Sequence, residues 1–548
     1  MSNSEKGRAP RIHINKAVFI PAFLALVLFS AAGIFKTEAM EHFLTIALYS
    51  MSDSVGWFYE LLTLIITILT LVLAFSKYGR IRIGGADAKP DFKLWNWATM
   101  TICGGLGTGL LFWAMGEPIY HFMQPPTAAG AAAMSREAAI FAVSQDMWIW
   151  SFPQFTLYSI CGLAFALAGY NFKKPLSYLP VIELAIGRNK KSAVLSSVVH
   201  SVTVFTMCAA VACSMGVGLL QIGAGLENLL GIPQSNIVYL GVAVVITVMF
   251  TLSSVSGLGN GMKKLASFTA VIFLLIMCYV ILLGPKEFVA KLGMESLGEL
   301  LTKWPQKTLI LNTMAPKDKW FADWPIQYIG SYIVYAPTLG MFLARLSKGR
   351  TIKEFILVNV IARSVFVIIW IGVFGSLEVY FQATGSFDVW AVVNQYGIQA
   401  TIFLILDQFP LGGILITLFL IAIFAAFSTI ADPVASALAT LSTKGLESID
   451  EEAPTVLKIM IGIMMGVVAF MLVLSGGVNA VKGMWLIIGL PVSFLMILMV
   501  VALFRGMNKL SKKADYLETD VVEAGSVQKG TAQKDVTQTK AAWDESGR

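Results

Sequence analysis

The stretch Gly104-Gly105-Leu106-Gly107-Thr108-Gly109-Leu110-Leu111-Phe112-Trp113-Ala114-Met115-Gly116-Glu117-Pro118 places four closely spaced glycines in a segment apolar enough to cross a membrane. Each glycine weakens an α-helix by about 1 kcal/mol relative to Ala, so we expect unwinding around Gly105, Gly107 and Gly109. Bare backbone in a bilayer is tolerated only where it lines a buried site, as in the discontinuous spans of solute carriers. The alternative is that the glycines only allow helices to pack closely.

Composition predicts an all-α polytopic membrane protein. Hydrophobic residues make up 57% of the 548, and charged residues only 13%, against about 25% in globular domains. The first apolar run lacks a cleavage site of the signal-peptide type, so we interpret it as a retained span. Apolar runs of about 20 residues predict twelve transmembrane helices near 17–35, 56–76, 95–123, 140–170, 193–226, 236–255, 265–284, 324–346, 353–376, 411–442, 456–476 and 483–504.

Positive charge gives the predicted orientation. Lys and Arg cluster before the first span and again in 77–93, 173–191 and 345–353, while the loops between are nearly free of them. By the positive-inside rule, both termini are expected in the cytoplasm. The net charge of +7 is therefore an orientation signal, and no nucleic-acid partner is predicted.

The chain carries few groups suited to catalysis or metal binding. Its five cysteines all lie in apolar spans, where a free thiol behaves as a small hydrophobe, and only four histidines are present. We predict neither an enzyme nor a cofactor or metal site. Ionisable residues inside spans are costly and are therefore functional candidates; they are Glu117, Asp146, Glu183, Lys263 and Asp432.

Two segments outside the spans have distinct patterns. Residues 285–320 contain a run with apolar and charged residues on opposite helical faces, which predicts an amphipathic helix in the membrane interface or an ordinary surface helix. Residues 506–548 hold seven basic and seven acidic side chains with little to bury, which predicts a disordered cytoplasmic tail rather than a lipid-binding osmosensor. Residues 1–16 form the cytoplasmic N-terminal segment.

The start of the fourth span is rich in aromatic residues. Trp150, Phe155 and Tyr158 direct their rings to one point if Pro153 distorts the first turn. Rings around a quaternary ammonium form a cation–π cage, each contributing about 0.5–2 kcal/mol when desolvated. The alternative is an aromatic belt at the membrane surface, which we favour for Trp148.

Two passages resemble the betaine/choline/carnitine transporters, a family of secondary carriers of quaternary-ammonium zwitterions. One ends in Gly116-Glu117-Pro118, and the other is Gly340-Met341-Phe342-Leu343-Ala344-Arg345-Leu346-Ser347-Lys348-Gly349-Arg350-Thr351-Ile352-Lys353-Glu354-Phe355. Gln221–Leu226 and Ala431-Asp432 with Ser436 add to a resemblance that covers about residues 17–505.

The resemblance implies an architecture and an assembly. Two inverted five-helix repeats of the LeuT type, 95–284 and 321–505, follow two peripheral helices in 17–94. A homotrimer is implied, with the helix at 286–303 near the subunit contacts. The implied location is the bacterial cytoplasmic membrane.

Span eight departs from the family pattern. Aligned without gaps to the Gly340 passage, Trp324 falls on a family Trp, whereas Ser331 and Tyr332 replace the tryptophans of the substrate cage. The resemblance thus assigns Trp324, Ser331 and Tyr332 to the substrate site. It leaves the solute open between a methylated ammonium and a smaller or more polar compound.

The ion-site positions also depart from the sodium-coupled members. Met207, Val211 and Ile430 stand where hydroxyl ligands are expected, and Thr429 remains. Lys263 falls where the sodium-independent carnitine antiporter carries a basic residue, so the resemblance implies a fixed cation acting with Thr429 and Leu106. The alternative is that Lys263 and Lys264 are snorkelling residues at a membrane surface.

These patterns predict a secondary transporter of a small zwitterion, betaine-like or amino-acid-like, that exchanges solutes without sodium by alternating access. The Gly105, Gly107 and Gly109 backbone would meet the carboxylate and the span-four rings the cationic head. Glu117 is expected to stabilise the broken helix. A sodium- or proton-coupled symporter for osmolyte uptake is the alternative.

Overall fold

The fold is almost entirely α-helical, with one two-residue strand pair. The structure is a computed structural model that describes residues 13–113, 115–256, 261–311, 313–314, 318–446, 451–474 and 478–512. Strand β1 (His13–Ile14) pairs antiparallel with β2 (Thr443–Lys444), which joins the N-terminal segment to the chain after a long helix.

Nineteen α-helices are assigned within the described ranges. Short 3₁₀ turns cover Lys77–Arg80, Thr127–Ala129 and Ile398–Ala400, and π-helical turns cover Leu167–Asn171, Ala322–Ile326 and Leu357–Ala362. The α-helices are α1 Lys16–Phe35, α2 Thr37–Phe75, α3 Leu94–Trp113, α4 Glu117–Met123, α5 Arg136–Ile149, α6 Phe152–Ala166, α7 Tyr178–Ile186, α8 Lys190–Leu230, α9 Asn236–Ser256, α10 Gly261–Leu283, α11 Lys286–Thr308, α12 Gln327–Leu346, α13 Ile352–Ile356, α14 Arg363–Thr384, α15 Val389–Tyr396, α16 Thr401–Leu406, α17 Gly412–Leu441, α18 Thr455–Leu474 and α19 Val478–Ser511.

The helices are long and apolar, as the composition predicts. In the part of the chain that the structure describes, eight are long and apolar enough to cross a membrane, or nine if the bent pair α10 and α11 counts as one span. Helical structure occupies each of the twelve predicted segments. The number of twelve spans and the repeat arrangement stay predictions.

The glycine stretch differs from expectation. Helix α3 continues through Gly105, Gly107 and Gly109, and the chain leaves helical geometry only after Trp113, before α4 begins at Glu117. An apolar environment offers no replacement for broken helical hydrogen bonds, so the helix is retained despite its glycines. Pro118 supplies the break instead, because it lacks an N–H and its ring would clash with the preceding turn.

Gly109 allows the Trp150 ring to pack closely against α3. A Cβ built on Gly109 would lie 3.0 Å from Cη2 of Trp150 and 3.1 Å from its Cζ3. At this position the glycine serves close packing, which is the alternative to unwinding given for the stretch. A Cβ on Gly116 would lie 2.2 Å from Cγ1 of Ile398, so the break is tightly packed too.

The Gly340–Phe355 passage contains the loop between α12 and α13, and this loop is hydrogen-bonded to the segment between α2 and α3. Gly349 N donates to the Ile83 carbonyl and Ile83 N to the Arg350 carbonyl, both at 2.9 Å. The Arg350 guanidinium donates to the Phe92 carbonyl at 2.7 Å and lies 4.7 Å from the Trp97 ring. Thr351 then begins α13 with a capping box. The passage thus holds the start of α13 against the segment between α2 and α3.

Helix α11 turns by 114° from α10 and packs on α5 and α14. The Trp148 indole donates to Oγ1 of Thr308 at 3.0 Å. Lys307 is buried, with Nζ 3.1 Å from Glu299 Oε1 and 4.5 Å from the centre of the Phe141 ring. Its buried side, which includes Val289, Leu292 and Leu300, is part of the protein core, and its place in a membrane interface stays a prediction.

Helices α6 and α12 are expected to separate if a methyl group is added at Gly340. A Cβ there would lie 2.7 Å from the Cys161 Cβ and from the Gly162 backbone nitrogen, neither of which can move freely. We expect Gly340→Ala to destabilise the protein by about 1–3 kcal/mol, as overpacking does. The measurement is thermal unfolding in detergent.

Gly241→Ala in α9 is the control, because a Cβ there meets nothing within 4 Å. Equal melting temperatures for the two variants would contradict the packing argument.

Candidate functional site

A break between α5 and α6 positions Trp150. Helix α5 ends at Ile149 and α6 begins at Phe152, so Trp150 and Ser151 lie between them. Pro153 is the second residue of α6, where its missing N–H costs nothing, and its ring excludes a continuous helix. The buried Trp150, in the break, contacts Tyr328 of α12.

Three aromatic residues of α12 and the π-turn before it share one helical face. Trp324, Tyr328 and Tyr332 follow each other at intervals of four residues, which places them one above another. Tyr328 and Tyr332 are stacked, with ring centres 6.2 Å apart and 16° between their planes. Together they form an aromatic ladder along the inner face of this span.

Rings from α3, α6 and the α5–α6 break pack against this ladder. Each ring lies at T-shaped or tilted geometry to its neighbour, the arrangement that the ring quadrupoles favour. We define the aromatic cluster as Trp113, Trp150, Tyr158, Trp324, Tyr328 and Tyr332; its centroid distances are 5.0 Å for Trp150–Tyr328, 6.0 Å for Trp150–Tyr332, 6.4 Å for Tyr158–Tyr332, 5.8 Å for Trp113–Tyr328 and 6.0 Å for Trp113–Trp324.

The cluster brings together four residues predicted for the site, namely Trp150, Tyr158, Trp324 and Tyr332. Phe155 is fully buried, but its ring lies 5.1 Å from the Arg363 guanidinium rather than in the ladder contacts. The Ser331 hydroxyl donates to the Tyr328 carbonyl at 2.7 Å and so is engaged by its own helix.

Several predicted positions lie outside the described side chains. Gly105, Gly107 and Leu106 are in α3, Lys263 is at the start of α10 and Thr429 is in α17, but only their helical backbone is described. Their roles at the substrate and ion sites stay predictions.

Glu117 links the helix break to the cluster. Its Oε2 accepts the Trp150 indole N–H at 3.2 Å, and its Oε1 lies 3.2 Å from Nε2 of His121. The Trp320 indole donates to Nδ1 of His121 at 3.2 Å; since Trp is only a donor, Nδ1 carries no proton. Nε2 therefore carries the hydrogen and donates a hydrogen bond to Oε1 of Glu117. The carboxylate is 1% exposed and receives two hydrogen bonds.

Two more buried carboxyls lie near Glu117. Asp146 in α5 is 0% exposed, and the carboxyls of Glu117 and Glu378 are close enough to interact with it electrostatically. Glu378, in α14, is 1% exposed. Glu378 is absent from the predicted set of ionisable residues inside spans, because the predicted span 353–376 ended two residues before it. Within the described ranges, His, Cys, Asp and Glu form no group of three that could hold a metal ion.

One buried cation lies at the other side of the cluster. Lys482 in α19 is 6% exposed; its Nζ lies 5.9 Å from the Trp113 ring centre and 5.4 Å from that of Trp324. Its Nζ donates to the Asp323 carbonyl at 3.1 Å. Sequence reasoning missed Lys482 because the last predicted span began one residue after it. The four-residue aromatic spacing was the signal available for Tyr328.

Removing the donor that His121 gives to Glu117 is expected to destabilise the site. His121→Phe keeps an aromatic ring but leaves the buried carboxylate one hydrogen bond short, which costs about 1–3 kcal/mol. The melting temperature in detergent at neutral pH should fall. The exposed His42 supplies the control variant His42→Phe; similar melting temperatures for both variants would show that the bond contributes nothing.

The chain is similar to known transport proteins along nearly its whole length. The pattern of the betaine/carnitine/choline family of transporters matches residues 17–512. The ectoine/hydroxyectoine transporter of Virgibacillus pantothenticus is 30% identical over 87% of this chain and 92% of its own. The glycine betaine transporter OpuD of Bacillus subtilis is 29% identical over 89% of this chain and 94% of its own. The high-affinity choline transport protein of Escherichia coli is 25% identical over 90% of this chain and 72% of its own.

A solved Na+-coupled sialic acid symporter aligns with a TM-score of 0.44 at 15% identity, covering 82% of this chain and 86% of its own, a similarity too low to support an inference. The family match spans nearly the whole chain and contains every residue of the aromatic cluster. It identifies a multi-pass membrane transporter and excludes an enzyme. The chain belongs to the betaine/carnitine/choline family of transporters.

Proposed function

We propose that this protein is a secondary transporter of a small quaternary-ammonium zwitterion, which it carries by alternating access around the aromatic cluster. The observation that carries the proposal is the packing of Trp150, Tyr158, Tyr328 and Tyr332 deep in the protein, where the ring centres of contacting pairs lie 5.0 to 6.4 Å apart. Such rings attract a methylated ammonium through their faces. The names of the relatives, which transport glycine betaine, choline or ectoine, support the same solute class.

The individual roles follow from this proposal. The rings of Trp150, Tyr158, Tyr328 and Tyr332 hold the ammonium, with Trp324 at the outer end of the ladder. Phe155 supports the site from the next turn of α6, and Ser331 holds the Tyr328 carbonyl and thereby fixes the ladder. Glu117 keeps the helix break in register with Trp150, which is a positioning role.

We propose further that transport is sodium-independent exchange. Met207 and Val211 of α8 are buried and have no hydroxyl oxygen to offer a hard cation. A fixed ammonium at Lys263, near Thr429 and Leu106, would supply the charge that sodium otherwise brings. Twelve spans in two inverted repeats, a homotrimer, cytoplasmic termini and a bacterial cytoplasmic membrane complete the proposal.

Proton-coupled uptake is a second candidate, favoured by one observation. Glu117, Asp146 and Glu378 bury three carboxyls beside the Trp150 side of the cluster. Burying several carboxylates together is costly unless protons neutralise some of them. A proton held there would be exchanged when the site opens to water. Sodium coupling has no comparable support among the described residues.

The ring of Tyr332 is expected to contribute directly to solute affinity. Tyr332→Leu removes one aromatic face, which lowers affinity about 2- to 30-fold. Tyr332→Phe retains the face and loses only a hydroxyl for which the structure gives no hydrogen bond, so it should bind nearly as well as the wild type. Half-saturation concentrations are measured by counterflow of glycine betaine, carnitine and choline in proteoliposomes. Equal losses in both variants would contradict a cation–π role.

Counterflow should persist when potassium replaces all sodium. Lys263→Ala should abolish this sodium-free exchange, whereas the neighbouring Lys264→Ala, as control, should retain it. Exchange that stops without sodium would overturn the coupling proposal. Net uptake accelerated by an inward proton gradient would instead favour the proton-coupled candidate.

A further inference from the structure

The carboxylate end of a zwitterion needs a hydrogen-bond donor or a cation in addition to the backbone of the helical glycine stretch. Residues Leu94–Trp113 form one helix, so the backbone N–H groups around Gly107 and Gly109 are engaged within it. A carboxylate moved from water into an apolar interior must be paired. Its partner is therefore expected among the cationic side chains that border the aromatic cluster.

Lys482 is such a side chain. Its ammonium has three donors, and within the described part of the chain the structure gives it one hydrogen bond, to the Asp323 carbonyl. No described carboxylate lies within salt-bridge distance of it; the Asp323 carboxylate instead accepts from the Tyr49 hydroxyl at 3.3 Å. The ammonium thus retains donors for an anion while it lies against Trp113 and Trp324.

The charges around the cluster have opposite signs at its two sides. Glu117 contacts Trp150 through a hydrogen bond, and Lys482 contacts Trp113. The Tyr328 ring connects them, at 5.0 Å from the Trp150 ring and 5.8 Å from the Trp113 ring. Lys482 interacts electrostatically with the nearby Asp323 carboxylate and, more weakly, with Glu117 across the cluster. The field therefore favours a ligand whose positive end faces Trp150 and whose negative end faces Lys482.

We propose that Lys482 binds the carboxylate of the transported zwitterion and makes the carrier prefer zwitterions to cations. The ammonium head of the solute lies among Trp150, Tyr328 and Tyr332, and its carboxylate accepts from Nζ of Lys482. A solute such as choline, which has the same head but no carboxylate, leaves this donor unused. The inference rests on the proposed function, whose site it orients.

A purely structural role for Lys482 makes a different prediction. If its ammonium served only to hold the Asp323 carbonyl at the start of the α12 ladder, its loss would disturb the whole cluster. Affinity for glycine betaine and for choline would then fall together. Selectivity between the two solutes, rather than affinity for either one, therefore separates the two roles.

The experiment measures half-saturation concentrations for glycine betaine and choline by counterflow with the full-length protein in proteoliposomes. Wild type should prefer glycine betaine about tenfold or more, since a hydrogen bond to a charged group contributes that much. Lys482→Gln should lose this preference by weakening glycine betaine binding alone. Lys482→Arg keeps the charge and should keep the preference.

Lys458→Gln is the matched control, because Lys458 is also a buried lysine but pairs with Glu452 at 2.7 Å, away from the cluster. It should leave the ratio unchanged. A wild-type protein that prefers choline, or a Lys482→Gln variant with unchanged ratio, overturns the inference but not the proposed transport. Should Lys482→Gln not fold, loss of the preference in Lys482→Arg overturns it. Absence of exchange with every solute overturns both proposals.

Discussion

The structure depends on the need to pair one buried carboxylate. Glu117 begins α4 immediately after the break in the third predicted span, and it lies almost completely out of contact with solvent. A charge in that position is tolerated only when donors surround it. Trp150 and His121 supply these donors, and Trp320 fixes the tautomer of His121. One charge therefore holds α4, the α5–α6 break and the segment before α12 in a single arrangement.

Small residues set the distances at which this arrangement works. Gly109 allows the Trp150 ring to approach α3, and Gly340 brings α12 against Gly162 of α6. Because helices in a bilayer gain little from hydrophobic burial against each other, close packing of this kind is a main source of their association. The aromatic ladder of α12 can then face Trp150 and Tyr158. The glycines thus act on the site through the spacing of helices, without unwinding.

The charged side chains that contact the aromatic cluster have opposite signs at its two sides. Rings alone would accept any methylated ammonium. Acidic groups beside Trp150 and the buried Lys482 ammonium beside Trp113 and Trp324 impose opposite potentials on its two sides. In a low-dielectric interior such potentials act over longer distances than in water. Specificity in this carrier is therefore expected to come from residues at helix ends as much as from the cage.

The sequence predicts the class of protein, the helical segments and the aromatic residues Trp150, Tyr158, Trp324 and Tyr332, because apolar length, proline position and ring spacing act locally along the chain. It did not determine where the third span breaks, since helix propensity at Gly105–Gly109 yields to the lack of other hydrogen-bond partners in an apolar environment. Glu378 and Lys482 lie just beyond predicted span ends, where hydropathy averages cannot tell a buried charge from a loop charge. These two side chains turn inward because neighbouring helices that are distant in sequence bury them, and such contacts are visible only in the folded chain.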